Sequence, residues 1–219
     1  MTSNQQSTAQ VRGRKRPGPS GSPDIREQIL NAAGHLFASQ GYSATSVREI
    51  ADRVDVNPAM VHYYFGSKKL LLRAVMDRVL EPMAAAMAAL QERGQIRLRD
   101  LTDLMFSMAA THPYLPQLVT REVFLSGGQL QQEFLEHFAP RLGGRLPGIL
   151  QREQDAGRLA PDMDPKIMAL LVLGACFFPI IARPLAEPGL HIAYDADGLQ
   201  RISIHVTDML ERGLGPCAK

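Results

Sequence analysis

The apolar positions of this chain recur at helical spacing almost from end to end. After a polar opening, Ile25, Ile29, Ala33, Leu36 and Phe37 form one stripe, with Asp24 as its cap and Gly41 as its stop. Val47, Ile50, Ala51 and Val54 follow at i, i+3, i+4 and i+7. Ser46 and Glu49 open that stripe as a Ser-x-x-Glu capping box. Val54-Asp55-Val56 breaks it, and Asn57-Pro58 starts the next helix as cap and first position. Val61, Tyr64 and Phe65 give this short helix a buried side, which leaves Ala59, Met60, His62 and Tyr63 pointing outward. Two short helices joined by a tight turn make a helix-turn-helix, whose second helix enters the DNA major groove.

A longer stripe runs from Lys68 to about Arg93, with Gly94 as its stop and Pro82 as a kink. Leu71, Leu72, Val75, Val79, Met83, Met87 and Leu90 are its inward positions. Further helices are predicted from Ile96 to Thr111, from Tyr114 to Leu125 and from Leu130 to about Asp155, the last interrupted at Pro140 and Gly143-Gly144. Asp164-Pro165 caps and starts a long apolar helix that Pro184 and Pro188 end. A last one begins near Asp195 and stops at Gly213 to Pro216. No strand pattern or internal repeat appears. The pattern predicts an all-α protein: an N-terminal three-helix helix-turn-helix domain, then a larger helical regulatory domain, about nine helices in all. The expected divisions are an arm over 1–23, the DNA-binding domain over 24–70 and a ligand-binding and dimerisation domain over 71–219.

The literal residues add a likeness. Thr45-Ser46-Val47, Ile50-Ala51, Tyr63-Tyr64-Phe65 and Ser67-Lys68-Lys69-Leu70 stand in the order and spacing of the DNA-binding region of TetR-family regulators. The stretch Leu36 to Tyr42 resembles that family's first-helix ending, so the resemblance covers roughly Ile25 to Leu72. It implies a sequence-specific regulator of transcription, most often a repressor. Such a regulator binds double-stranded DNA at a palindromic operator as a homodimer and takes a small-molecule effector in its body. One departure is Asp55, where the family usually has Gly. That position is expected to need φ > 0, which Asp tolerates better than most residues.

Charge sharpens this picture. The 219 residues carry a net charge of only +2, but residues 1–80 hold eleven Lys/Arg and six Asp/Glu, while the remainder holds thirteen and sixteen. A basic head on an acidic body suits nucleic acid at one end. The arm is rich in Ser, Gln, Gly and Pro and reads as disordered. Its Arg12, Arg14 and Arg16 either follow the DNA backbone and enter a narrow minor groove or serve as a solubilising patch.

Chemistry of other kinds is not signalled. Cys176 and Cys217 suggest neither a disulfide framework nor a metal site, and His35 reads as a packed structural residue. The P-loop, G-x-S-x-G, H-E-x-x-H and G-x-G-x-x-G patterns are all missing, so no enzyme and no cofactor are expected. No charged-then-apolar leader opens the chain, which makes the cytoplasm the expected compartment. The uncharged run Ile167 to Ala182 contains Gly174 and Pro179 and reads as a buried helix, with no membrane partner.

Three sets of residues are expected to act. On DNA, Ala59 and Met60 suit thymine methyls, His62 a base edge or phosphate, and Pro58 a base edge or sugar. Thr45, Ser46, Arg48, Tyr63 and Lys68 are placed for phosphates, and the resemblance supports Tyr63 and Lys68 most. The recognition helix has no Arg, Asn or Gln beyond its cap, so DNA shape is expected to matter. For a ligand, the family's middle helices enclose a pocket. Here Met83, Met87, Met105, Phe106, Met108, Phe124 and Phe138 offer an apolar lining, with His112, Tyr114 and Arg121 as polar anchors. Plain core is the alternative for these Met and Phe positions. For the dimer, a helix apolar nearly all round needs burial on more than one side. The expected seam is a two-fold four-helix bundle through Leu170, Phe177, Ile181, Leu199, Ile202, Val206 and Met209. The competing reading of the whole chain is a helical ligand-binding or scaffold protein with a degenerate helix-turn-helix.

Overall fold

The computed structural model describes residues 23–92 and 97–216. Arg12, Arg14, Arg16 and Gly94 lie outside them. Among the described residues eleven α-helices follow one another: α1 (Pro23–Gln40), α2 (Val47–Arg53), α3 (Pro58–Phe65), α4 (Lys68–Glu92), α5 (Leu98–Thr111), α6 (Leu115–Val119), α7 (Gln131–Glu133), α8 (Leu146–Asp155), α9 (Pro165–Ile181), α10 (Arg183–Leu190) and α11 (Ala196–Leu214). There is no strand among the described residues.

Local chemistry sets most boundaries. Ser46 Oγ accepts the Glu49 N–H, Asn57 Oδ1 that of Ala59, Asp164 Oδ1 that of Lys166 and Asp195 Oδ1 that of Gly198. Each satisfies one of the orphan donors of a first helical turn. Gly41 ends α1 at φ 89°. Asp24, expected as the cap of α1, instead lies inside its first turn. Only half of the expected capping box forms, because the Glu49 carboxylate takes the Gln40 side-chain amide at 2.8 and 2.9 Å. The helix α4 runs through Pro82 without interruption.

The middle of the body departs from simple helices. After α6 the backbone winds as a π-helix over Thr120–Phe124, and after α7 it does so again over Phe134–Phe138. The helix expected from Leu130 to about Asp155, with interruptions at Pro140 and Gly143-Gly144, is several pieces. Pro184 and Pro188, expected as stops, sit within α10, which ends where His191 turns left-handed at φ 54°.

Two apolar clusters fill the interior. The first joins Ile29, Leu30 and Phe37 of α1, Ile50, Val61 and Phe65 of the helix-turn-helix, and Leu71, Val75 and Met76 of α4 to Tyr114, Leu118, Val123 and Phe138 of the body. The second packs Leu101 and Phe106 of α5 with Ile149, Met168, Val172, Leu199 and Val206 from α8, α9 and α11. Packing thus does not break at 70/71. It changes hands within α4, between Ala84 and Met87. No single helix among the described residues is long and apolar enough to cross a membrane, and α9 meets α10 at a 65° bend.

Candidate DNA-binding site and its link to the body

The helix-turn-helix closes through one left-handed residue. Asp55 sits at φ 54°, as expected for the position where the resembled family has Gly. Val56 then returns its N–H to the Ala51 carbonyl at 3.0 Å, which fixes the angle between α2 and α3. The recognition helix α3 buries Val61 and Phe65, four residues apart, and the Arg26 guanidinium lies over the Phe65 ring. Its opposite face exposes Ala59, His62 and Tyr63, with Pro58 and Met60 half-buried beside them. Tyr63 is 78% exposed and stands edge-on to Tyr64. A large aromatic left this bare has its hydroxyl free for a partner.

His62 carries a stated polarity. Its Nδ1 lies 3.0 Å from the Gly66 carbonyl. A carbonyl only accepts, so Nδ1 bears the proton, and in the neutral ring Nε2 is left as an acceptor. The base edges that offer a donor in the major groove are the amino groups of adenine and cytosine.

Around α3 the expected phosphate contacts divide. Arg48 has a side chain 85% exposed and only a loose pair with Asp52 at 3.9 Å. Ser46 is exposed at the cap of α2. Two other residues are used internally. Thr45 is 1% exposed, and its Oγ1 donates to the Gly41 carbonyl at 2.8 Å. Lys68 is half-buried, and its ammonium donates to the Tyr42 and Thr45 carbonyls at 2.7 and 2.8 Å while lying over the Tyr42 ring at 4.2 Å. Lys69, which sequence reasoning passed over, is exposed on the first turn of α4. The motif Ser67-Lys68-Lys69-Leu70 holds two lysines, and their spacing does not tell which one stays exposed.

The expected ligand residues spread over both clusters. Met83, Met108, Tyr114 and Phe138 belong to the first, and Met87, Met105 and Phe106 to the second. Phe124 is exposed and stacks edge-on against Phe177. The three polar candidates face the head. The Tyr114 hydroxyl accepts from Arg78, whose guanidinium also reaches Asn31 and Glu27 of α1. The Tyr114 ring lies so close to Gly34 that an added Cβ would stand 2.7 Å from it. Arg121 donates to the Ala38 carbonyl at 3.2 Å. His112 stacks beside Tyr114, and burial, with the Arg78 charge second, holds its pKa below 6.5. A cavity of about 430 Å³ opens elsewhere, between Ser67 with the start of α4 (Lys69, Arg73) and residues 129–137. A narrower one beside it is lined by Phe138 with Met76 and Phe134.

The dimer candidates are rearranged as well. Leu199 and Val206 are buried in the chain's own second cluster, and Phe177 and Ile181 are half-buried. The bare apolar stripe runs through Ile167, Leu170, Leu171 and Phe178 of α9, with Ile204 and Met209 of α11. Leu170 and Met209 of the expected seam lie on this stripe, while Leu199, Ile202 and Val206 pack against the chain's own second cluster, since one stripe at helical spacing does not tell which neighbour covers it. Among the described residues no group of three His, Cys, Asp or Glu side chains is gathered as a metal would need. Cys217 lies outside the described residues; Cys176 is buried, which pushes its thiol pKa up to about 12.

Comparison with known proteins agrees with this architecture. Residues 29–75 match the bacterial regulatory proteins of the tetR family, and residues 95–210 match the tetracyclin repressor-like C-terminal domain. The HTH-type transcriptional repressor Rv3405c of Mycobacterium tuberculosis is 38% identical over 99 residues, 41% of this chain and 53% of that protein. The chain thus spans about half the length of such curated relatives. The HTH-type transcriptional repressor NicS of Pseudomonas putida is 24% identical over 70% of this chain and 74% of its own. Among solved structures, the ketosteroid transcriptional regulator KstR2 of Mycobacterium tuberculosis superposes with a TM-score of 0.73 at 16% identity, covering 89% of this chain and 97% of that one. The regulator FadR from Bacillus subtilis, in complex with stearoyl-CoA, gives 0.67 at 21% identity over 86% and 98%. With both halves matched and the helix-turn-helix in place, the chain belongs to the TetR family of bacterial regulatory proteins.

Proposed function

We propose that this chain is a sequence-specific, homodimeric regulator of transcription acting in the cytoplasm. It represses by occupying a palindromic operator and leaves it when a small, mostly apolar ligand binds the body. The observation that carries this reading is the bare face of α3, where Ala59, His62 and the 78% exposed Tyr63 project beside Arg48. A merely structural helix of eight residues would not leave an aromatic ring so uncovered. The phosphate contacts fall to Tyr63, Arg48 and Ser46, with Lys69 added, while Thr45 and Lys68 hold the head together from within. The repressor names of Rv3405c and NicS support the direction of regulation. The stearoyl-CoA bound by the Bacillus subtilis FadR supports an apolar ligand. Met83 and Met87 on α4, with Met105 and Met108 on α5, lie where the two apolar clusters meet. Methionine faces repack easily, so a ligand entering between the clusters would part them there.

The test is selection of bound sequences from a random duplex pool with the full chain, followed by anisotropy titrations on the enriched palindrome. His62→Ala should relax preference at one base pair per half-site, a loss of about 1–3 kcal/mol. Tyr63→Phe should weaken all sequences alike. If no palindrome is enriched at moderate salt, the competing reading as a helical ligand-binding protein stands instead.

A further inference from the structure

We infer that Glu122 is a positioning residue: through it the body holds the turn 41–45, and with that turn the recognition helix, in register for DNA. The inference rests on the DNA-binding reading of the head. Glu122 lies in the π-helical stretch Thr120–Phe124 and is only 4% exposed. Burying a carboxylate is costly unless its oxygens are matched by donors. Here both are matched by backbone. One oxygen accepts the Tyr42 N–H at 2.9 Å, across 80 residues, and the other accepts the Gln129 N–H at 3.2 Å. An apolar residue would fill that space more cheaply, so what the carboxylate adds is the fixed position of Tyr42.

From Tyr42 the restraint continues. Its carbonyl and ring hold the Lys68 ammonium, which also takes the Thr45 carbonyl. Thr45 directly precedes Ser46, the cap of α2, and Lys68 opens α4, with only Gly66 and Ser67 between it and α3. One connected run of hydrogen bonds therefore joins the body to the segments that bracket α2 and α3. Arg121 beside it holds the Ala38 carbonyl, so the same body turn grips the end of α1 at two points. A π-turn is a common place for such a functional contact, since its extra residue re-aims the side chains around it.

The experiment uses the full chain and the operator enriched by selection. Glu122→Ala removes both acceptors. Glu122→Gln keeps an acceptor for Tyr42 but turns an amide toward Gln129. Gln154→Ala is the control, because Gln154 is a buried side chain of α8 that clamps the Ala160 and Met163 carbonyls in the body. The readouts are operator affinity, melting temperature and hydrogen exchange at the amides of residues 42–45. Glu122→Ala should weaken operator binding about tenfold or more, as expected for a lost hydrogen bond to a carboxylate. It should speed exchange at 42–45, and Glu122→Gln should fall between it and the native chain. Gln154→Ala should lower the melting temperature and leave both affinity and exchange at 42–45 unchanged. The inference is overturned if Glu122→Ala binds within twofold of the native chain, or if Gln154→Ala loses as much affinity for the same loss of melting temperature. Should Glu122→Ala not fold, Glu122→Gln decides alone, and unchanged exchange at 42–45 overturns the link. If the native chain enriches no operator, the DNA-binding reading fails, and exchange at 42–45 still decides whether Glu122 holds the turn.

Discussion

Replacing Phe178 by Glu should separate the two protomers of the proposed dimer while leaving each folded. Phe178 lies on the bare stripe of α9 and is 66% exposed in the single chain. A Phe side chain offers roughly 200 Å² to burial. About two thirds of that, ~130 Å², remains to be covered by a partner, worth ~3 kcal/mol at about 25 cal/mol per Å². Two-fold symmetry counts the loss twice, so ~6 kcal/mol of association is at stake, more than four decades in Kd. In the isolated protomer the same substitution changes an exposed position, where effects stay within about 0.5 kcal/mol. Val206→Glu is the contrast. Val206 is 8% exposed inside the second cluster, and an unpaired charge there costs about 3–5 kcal/mol of the ~5–15 that hold a domain. Sedimentation velocity at micromolar concentration with far-ultraviolet circular dichroism reads both. Phe178→Glu should sediment as a helical monomer, and Val206→Glu should lose helix or melt well below the native chain. A stable Phe178→Glu dimer, or a well-folded monomer from Val206→Glu, would refute the assignment of α9 to the seam.

Two further outcomes follow from single residues. Asp55→Gly relieves the left-handed strain at φ 54°; thermal melts should show no change or a gain of up to ~1 kcal/mol, and a clear drop would reveal a contact made by the Asp side chain. His112 has its pKa lowered from 6.5 by burial first and by Arg78 second, so the unfolded chain binds this proton more tightly than the native one. Its contribution to stability is therefore whole above about pH 6.5 and is lost as the pH falls from there through the lowered native value. Melting temperatures across this range should decline less in His112→Gln, and identical profiles would show that His112 does not titrate against the fold.

The parts of this molecule that were legible in the sequence are those whose chemistry is local. Ser46, Asn57, Asp164 and Asp195 cap the helices that follow them because an N-cap acts within three residues. Asp55 could be placed at positive φ because the resembled family usually has Gly at that turn position. The helix α10 was not legible, since Pro184 and Pro188 read as stops, yet Pro184 falls in a first turn, where a missing N–H costs nothing. Nor was the use of Thr45, Lys68 and Glu122. Residue type marks Thr45 as a phosphate ligand, residue type and the family resemblance mark Lys68, and neither marks Glu122. What decides their roles is the turn after α1. Leaving the helix at Gly41 strands the carbonyls of Gly41, Tyr42 and Thr45 and the N–H of Tyr42 without helical partners, and buried backbone groups need partners. Thr45, Lys68 and Glu122 meet those needs at 2.7–2.9 Å. The need is visible wherever a sequence breaks a helix beneath a core. Which distant side chain answers it depends on the fold, and here one answer comes from 80 residues away, which is how a body turn comes to hold the head.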